Sequence, residues 1–345
     1  MQGQMSLFEE NNENIEKYEP VSSIKEYFEK KIQDSKDVLV LAAEMSELYY
    51  KQPLVITYSG GKDSEVLLHL ALECLKPNQF EVVNSHTTVD APETVYHIRE
   101  VFRNLNEQGI ITTIQYPRDK NGKFESMWSL IEKNGIPPTR LARYCCRVLK
   151  EHSIPNRFIA VGVRASESTN RKGKDFFTTR VKKKADATFY SFQHTKEVFE
   201  TAKEMMLENN EQPNDHNVWD CQLISKAKDN EDLICYPIYK WIDSEIWQFI
   251  HDRKIKYNPL YDEGFLRVGC VGCPFAGNQK KILERFPKYK QNYILAFDRM
   301  LKTTNKKLGT WHTGEDVYKW WIQDDEIPGQ LDIYSFLDKE NKDEN

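Results

Sequence analysis

The sequence predicts an α/β fold: a doubly wound, mostly parallel sheet, with N-terminal helices before it and a helical C-terminal region after it. Three observations carry this. Strand-like and helix-like stretches alternate from Leu54 to Val163, the order that builds a parallel sheet with helices on both faces. The first strand runs into a Ser-Gly-Gly turn and then directly into a helix start. Finally, 345 residues with 39% hydrophobic and 29% charged content describe a globular chain long enough for one large α/β domain plus additions, or two small domains.

Taken in order, residues 1–50 read as a frayed tail (1–18) and two helices over Val21–Tyr50. Ile24, Tyr27, Phe28 and Ile32 share one face of the first; Val38, Leu39, Leu41 and Leu48 mark the second. Residues 51–240 are the expected nucleotide-binding domain. Leu54–Thr57 is a short apolar, β-branched run suited to a buried parallel strand. A helix near 64–75 follows, capped by Asp63 or Ser64, with Val66, Leu67, Leu70, Leu72 and Leu75 at helical spacing. Further strands are expected at Phe80–Asn84, extending towards Thr88, and at Ile110–Tyr116 and Phe158–Val163. Their helices fall at Val95–Gln108, Ser126–Asn134 and Arg140–Lys150. From Glu167 the pattern loosens into an insertion near 170–230. Its basic stretch, Arg171–Lys184, places seven Lys or Arg around Phe176 and Phe177, and reads either as a solvated loop or as a contact for DNA or nucleotide. A helix near 195–209, a polar linker and a strand at Leu233–Ile238 complete the domain. Residues 241–330 read as helical: Asp243 caps Ser244–His251, and helices follow at 278–286, 288–304 and 314–322. The acidic tail is 331–345.

Composition excludes several classes. A net charge of −5 argues against a uniformly basic nucleic-acid binder, so any such contact rests on a local patch. No apolar stretch approaches the ~20 residues that span a bilayer, and the acidic segment Met1–Tyr18 lacks an apolar signal core. Seven cysteines, two adjacent and two in C-x-x-C, point to metal or redox chemistry in a reducing cytoplasm rather than a secreted disulfide framework.

The stretch Leu54-Val-Ile-Thr-Tyr-Ser-Gly-Gly-Lys-Asp-Ser64 carries the first chemical signal. Strand, glycine turn and helix start aim unpaired backbone N–H groups at one point, where a phosphate or pyrophosphate fits. It is not a Walker A loop, because Asp63 follows Lys62 and Ile56 stands where the first glycine belongs. The loop resembles the S-G-G-x-D-S loop of the PP-loop ATP pyrophosphatases through Ser59, Gly60, Gly61, Asp63 and Ser64. That resemblance implies capture of the pyrophosphate end of ATP and cleavage between the α- and β-phosphates.

The second signal is Cys145-Cys146 with Cys270-Val-Gly-Cys273. Four thiolates suit zinc or an iron–sulfur cluster. Adjacent cysteines diverge too much for one small tetrahedral ion, so a [4Fe–4S] cluster is expected, with zinc as the alternative. Cys145-Cys146-Arg147 with Lys150, the later C-x-x-C, and Gly162-Val-Arg164-Ala-Ser-Glu167-Ser168 resemble the PAPS reductase family. Asn258-Pro-Leu-Tyr261 leading to Arg267-Val-Gly-Cys270 is similar to its DndC-like branch, which includes DNA phosphorothioation proteins. Over residues 50–280 the resemblance implies an adenine nucleotide alpha hydrolase-like fold.

From this follow the expected roles. Lys62, Asp63 and Arg164 are the catalytic candidates. Ser59, Gly60, Gly61, Asp63, Ser64, Asp90, Glu93, Gly162, Arg164 and Glu167 are the candidates for binding ATP and its Mg²⁺, the ion falling to Asp63, Asp90 or Glu93. Cys145, Cys146, Cys270 and Cys273 are the candidate metal ligands. His86 is a weaker candidate for the adenosine side. The expected partners are DNA, a cysteine desulfurase as sulfur donor and other proteins of a modification complex; a homo-oligomer is left open. Three function classes remain: an ATP pyrophosphatase and sulfurtransferase, a PAPS- or APS-reducing oxidoreductase, and a non-catalytic nucleotide- or DNA-binding regulator. The reductases carry a further C-terminal cysteine that attacks the sulfonucleotide. No cysteine follows Cys273, so the first class is expected.

Overall fold

The computed structural model describes residues 24–119, 121–151, 154, 156–167, 175–179, 189–209, 232–276, 278–303 and 311–322. The expected frayed tail, Ser168, most of the basic stretch, the linker before Asp232 and the acidic C-terminus lie outside these residues.

Seven strands make one sheet: β1 Leu54–Thr57, β2 Phe80–Ser85, β3 Thr112–Gln115, β4 Phe158–Ala160, β5 Phe177–Thr179, β6 Phe189–Tyr190 and β7 Leu233–Cys235. Their spatial order is β3-β2-β1-β4-β7-β5-β6. The first five in that order run parallel, while β5 and β6 close one edge antiparallel. The doubly wound, mostly parallel fold expected from the sequence is therefore the one observed. The chain winds outward from β1 through β2 to β3, then returns to lay β4 on the other side of β1. In such sheets a crevice opens beyond the carboxyl ends of the strands where the winding reverses, here β1 and β4.

Ten helices are described: α1 Ile24–Tyr50, α2 Lys62–Cys74, α3 Pro92–Glu107, α4 Met127–Asn134, α5 Tyr144–Cys146, α6 Phe192–Asn209, α7 Asp243–Asp252, α8 Gln279–Arg285, α9 Pro287–Thr303 and α10 Gly314–Trp321. A π-helical turn, Arg147–Glu151, extends α5. Two helices were expected within Val21–Tyr50, but α1 is continuous. Its polar middle, Gln33–Asp37, contains no glycine or proline to break it, and buried Ser35 accepts a hydrogen bond from the Trp241 indole at 2.9 Å. Two capping expectations also change. Gly61 occupies the cap position of α2, and Ile242 that of α7, so Asp243 is the first helical residue there. The strand β5 was not expected at all. Phe177 is buried because it pairs with Cys235 of β7, a partner far away in sequence.

Apolar side chains form two main cores. One joins α1, α2 and α7 to the sheet around Leu39, Ile56, Leu67, Phe158 and Trp241. The other gathers α4, α5 and the C-terminal helices around Leu130, Leu149, Val271, Tyr293, Phe297 and Trp321. This second core backs the cysteine segments. The Tyr293 hydroxyl donates to Val271 O at 2.9 Å, and Gly272, at φ +76°, leaves no room for a Cβ, which would lie 2.8 Å from the Tyr293 ring. Among the described residues no helix is long and apolar enough to cross a membrane.

Trp241 ties the first core together, meeting Phe28 at 5.4 Å and Phe249 at 5.6 Å between ring centroids. Trp241→Ala is expected to lower unfolding stability by about 3–5 kcal/mol, read as a reduced urea midpoint at unchanged m-value.

Candidate functional site

The turn after β1 is shaped by two glycines with different duties. Gly60 adopts φ +72°, and a Cβ there would press on Ile98 and Thr94 of α3 at 3.0 and 3.2 Å. Gly61 leaves open a gap bounded by the Tyr261 and Ser59 oxygens, which a Cβ would approach at 3.5 and 3.6 Å. The Ser64 hydroxyl braces the turn, accepting from Ser59 N–H at 3.2 Å and donating to Gly61 O at 2.7 Å. Beneath the turn lies a buried polar group: Glu65 accepts from the Tyr58 hydroxyl and lies 2.5 Å from His97 Nε2. Burial, then the Glu65 charge, hold the Tyr58 phenol well above its ordinary range.

Beside the turn two cations converge. Arg164, just beyond β4, reaches Asp63 Oδ1 through Nε at 2.6 Å, Ser166 Oγ at 3.1 Å and Asp243 Oδ1 at 2.9 Å. Lys62 Nζ lies 3.1 Å from the same Asp243 oxygen and 3.4 Å from Leu266 O. Both cations are buried, whereas the Asp243 side chain is 61% exposed. Gly162 lets this strand end approach α2 closely, since a Cβ there would lie 3.1 Å from Asp63 O. Glu167 accepts the Arg164 backbone N–H at 3.3 Å, which bends the chain after β4. Burial raises the Asp63 carboxyl, although Arg164 and Lys62 oppose the shift. For Asp243 the balance reverses: burial would raise it, but Lys62 and Arg164 together hold it below the usual carboxylate range.

Ser59, Gly60, Gly61, Lys62, Asp63, Ser64, Gly162, Arg164 and Glu167 therefore share one neighbourhood at the ends of β1 and β4. Asp90 and Glu93, the other two candidates for the ion, each have partners of their own. Asp90 accepts from the Thr87 amide and hydroxyl at 2.8 and 2.7 Å and lies 3.1 Å from His86 Nδ1. Burial would raise its carboxyl, but His86, Lys150 and Thr87 outweigh this and lower it. Glu93 pairs with Arg285 at 3.0 Å. Among the described residues no three His, Cys, Asp or Glu are gathered closely enough to hold a metal ion.

The cysteines form a second, adjoining locus. The backbones of Asp90 and Cys270 pair as an antiparallel bridge, and Val271 N–H donates to Val89 O at 2.7 Å. This brings C-x-x-C to the end of β2. Cys145, Cys146, Cys270 and Cys273 are free and partly exposed. The thiolate charge of Cys270 leads in raising the Lys150 ammonium, with Asp90, Cys273 and Cys146 adding to it. Cys146 is lowered to about 5, first by a hydrogen bond from Cys145, then by Arg143 and Lys150, and Cys145 is raised correspondingly. Cys270, Cys273 and Cys146 thus act on one cationic side chain, and Cys145 acts on Cys146.

One segment joins the two loci. Buried Asn258 donates through Nδ2 to Gly60 O at 3.2 Å and Thr94 Oγ1 at 3.0 Å, and its Oδ1 accepts Leu260 N–H at 3.1 Å. Tyr261 takes the Lys62 N–H, Leu266 O faces Lys62 Nζ, and Cys270 and Cys273 follow. Sequence reasoning assigned no role to Asp243, Asn258 or Tyr261 at the loop; only the Asn-Pro-Leu-Tyr pattern hinted at the last two.

Comparison with known proteins gives the family. The model of the phosphoadenosine phosphosulfate reductase domain family matches residues 53–276. An uncharacterized protein of Methanocaldococcus jannaschii is 27% identical over 252 residues, 69% of this chain and 40% of that protein. A sulfate adenylyltransferase subunit 2 of Magnetococcus marinus is 23% identical, over 61% of each chain. An adenosine 5'-phosphosulfate reductase of Bacillus cytotoxicus is 26% identical, over 65% of this chain and 74% of the reductase. The chain thus spans less than two thirds of the length of the first two relatives.

Asp243 sits where it competes with any anion for Lys62 and Arg164. Asp243→Asn is expected to tighten inorganic pyrophosphate binding about two- to fivefold, the scale of an exposed ion pair, by calorimetry at low salt, with the gain shrinking as salt rises.

Proposed function

We propose that this chain, which belongs to the phosphoadenosine phosphosulfate reductase domain family, is an ATP pyrophosphatase that activates an acceptor for sulfur transfer. The observation that carries the reading is the convergence of Lys62 and Arg164 on the Ser59–Ser64 turn at the point where the sheet's winding reverses. Two buried cations beside a helix N-terminus make an anion site stronger than a helix end alone, which contributes ~0.3–1 kcal/mol. The match to a sulfate adenylyltransferase subunit, whose name describes adenylyl transfer, supports chemistry at the α-phosphorus.

In this reading the β- and γ-phosphates lie over the turn, with Lys62 and Arg164 on their oxygens and Asp63 available to the accompanying Mg²⁺. An acceptor oxygen attacks the α-phosphorus. The new O–P bond forms as the bond to the β-phosphate oxygen breaks, and pyrophosphate carries the electron pair away. The adenylylated oxygen is then a leaving group: a sulfide displaces it as AMP, or a persulfide does so and a thiol then cleaves the S–S bond that the adduct keeps. Holding the reactants in line and neutralising the leaving charge are the tasks of these residues. The acceptor we favour is a DNA backbone phosphate, with a cysteine desulfurase supplying the sulfur and other proteins completing a modification complex. The DndC-like pattern Asn258–Tyr261 supports that choice over other acceptors.

Cys145, Cys146, Cys270 and Cys273 would hold an iron–sulfur cluster, with Lys150 and Arg143 compensating thiolate charge. Such a group, when bound, supplies electron transfer or an exchangeable sulfur site. A second reading, reduction of a sulfonucleotide, is favoured by the match to an adenosine 5'-phosphosulfate reductase. It uses the same phosphate turn but predicts, with a dithiol as the two-electron reductant, release of sulfite and AMP from adenylyl sulfate rather than pyrophosphate from ATP.

Incubated anaerobically with ATP, Mg²⁺ and DNA, the purified chain is expected to release AMP and pyrophosphate, and Lys62→Ala to lose roughly 10²-fold or more in rate. Sulfite from adenylyl sulfate with no pyrophosphate from ATP would favour the reductase instead. Anaerobically purified protein is expected to be brown with broad visible absorbance, lost when Cys270 and Cys273 are both replaced by serine; colourless protein with stoichiometric zinc would contradict the cluster.

A further inference from the structure

The phenol of Tyr261 is tied to the first amide of α2 at the edge of the phosphate turn. Its oxygen accepts the Lys62 backbone N–H at 2.9 Å. A phenol oxygen accepts through its lone pairs and donates one proton. With the Lys62 N–H on one lone pair, the O–H points away from that amide. Among the described residues, no hydrogen bond donated by this O–H is found, although the ring is half-buried.

The phenol borders the turn itself: the Gly61 Cα faces the Tyr261 and Ser59 oxygens, which a Cβ there would meet at 3.5 and 3.6 Å, ordinary contact distances. Lys62 Nζ stands 5.6 Å from the Tyr261 ring centroid, on the side where it also meets Asp243. The ring itself is fixed. Trp247 packs against it edge-on at 5.2 Å, and Tyr257 lies at 6.3 Å. Burial, then the charges of Asp63 and Glu65, push the phenol up to about 12, although the Lys62 amide opposes the shift. At neutral pH it is therefore a donor and not a base. Donation from the Lys62 amide polarises the O–H further, as in any hydrogen-bonded chain.

We propose that Tyr261 is a phosphate-contacting residue of the nucleotide site, donating its phenolic proton to an oxygen of the pyrophosphate group held over Ser59–Ser64. The proposal rests on the nucleotide reading above and adds a ligand to it. Lys62 N–H, an orphan donor at the start of α2, would ordinarily meet the anion directly. Here the phenol carries that donor outward, so the segment that continues to Cys270 supplies part of the phosphate shell.

The test compares wild type with Tyr261→Phe by calorimetry, using inorganic pyrophosphate and, separately, adenosine, with thermal melting of each variant. Phenylalanine keeps the ring against Trp247 and removes only the hydroxyl. The expected result is pyrophosphate affinity reduced roughly tenfold or more, the scale for one hydrogen bond to a charged group, with adenosine affinity and melting unchanged. Tyr261→His, which retains a ring N–H, is expected to recover part of the loss. Pyrophosphate binding equal to or tighter than wild type in Tyr261→Phe would overturn the proposal. So would a parallel loss of pyrophosphate and adenosine binding with a lower melting temperature, which marks a structural prop. Wild-type protein that binds neither pyrophosphate nor ATP overturns the nucleotide reading itself, an outcome separable from intact wild-type binding that Tyr261→Phe leaves untouched.

Discussion

The ion pair between Arg164 and Asp63 is the constraint on which the head of this sheet depends. It fixes the chain leaving β4 against the first turn of α2, across the point where the winding reverses. Gly162 makes the approach sterically feasible and Glu167 turns the chain so that the guanidinium faces inward. Removing Arg164 would leave Asp63 and Asp243 with Lys62 as their shared cation, whereas removing Asp63 would leave Arg164 paired with Asp243 alone.

The second organising feature is the run from Asn258 to Cys273. Its amide-bearing start clamps the Gly60 carbonyl, its middle contacts Lys62 twice, and its end carries two of the four thiols. The C-terminal helices fix that end through Tyr293 and the close packing at Gly272. The phosphate turn and the cysteine locus are thus parts of one supported surface rather than two independent sites. That physical continuity is what a reaction needing both activated nucleotide and sulfur would use.

How much of this was legible in the sequence divides along the range of the interactions. The turn at Ser59–Ser64 was readable because strand, glycines and helix start are contiguous, and the cysteine pairs because their spacing is local. The parallel order of β1 to β4 followed from alternation. Asp243 and Tyr261 were not readable as site residues, because tertiary folding alone brings them to Lys62; Tyr261 lies 199 positions away. Asp243 was read as a helix cap, a role its residue type suits equally well. Asp90 was read as a candidate for the ion because it follows a strand end; its carboxylate faces Thr87 and His86 at the end of β2, beside Cys270. The strand Phe177–Thr179 was hidden by its basic neighbours, since its burial comes from pairing with β7.

The central claim is that the Ser59–Ser64 turn directs cleavage between the α- and β-phosphates. The most direct measurement follows ATP labelled in its γ-phosphate, incubated anaerobically with the protein, Mg²⁺ and DNA. The account predicts that the label leaves as pyrophosphate in step with AMP formation. Label appearing as orthophosphate together with ADP would contradict it.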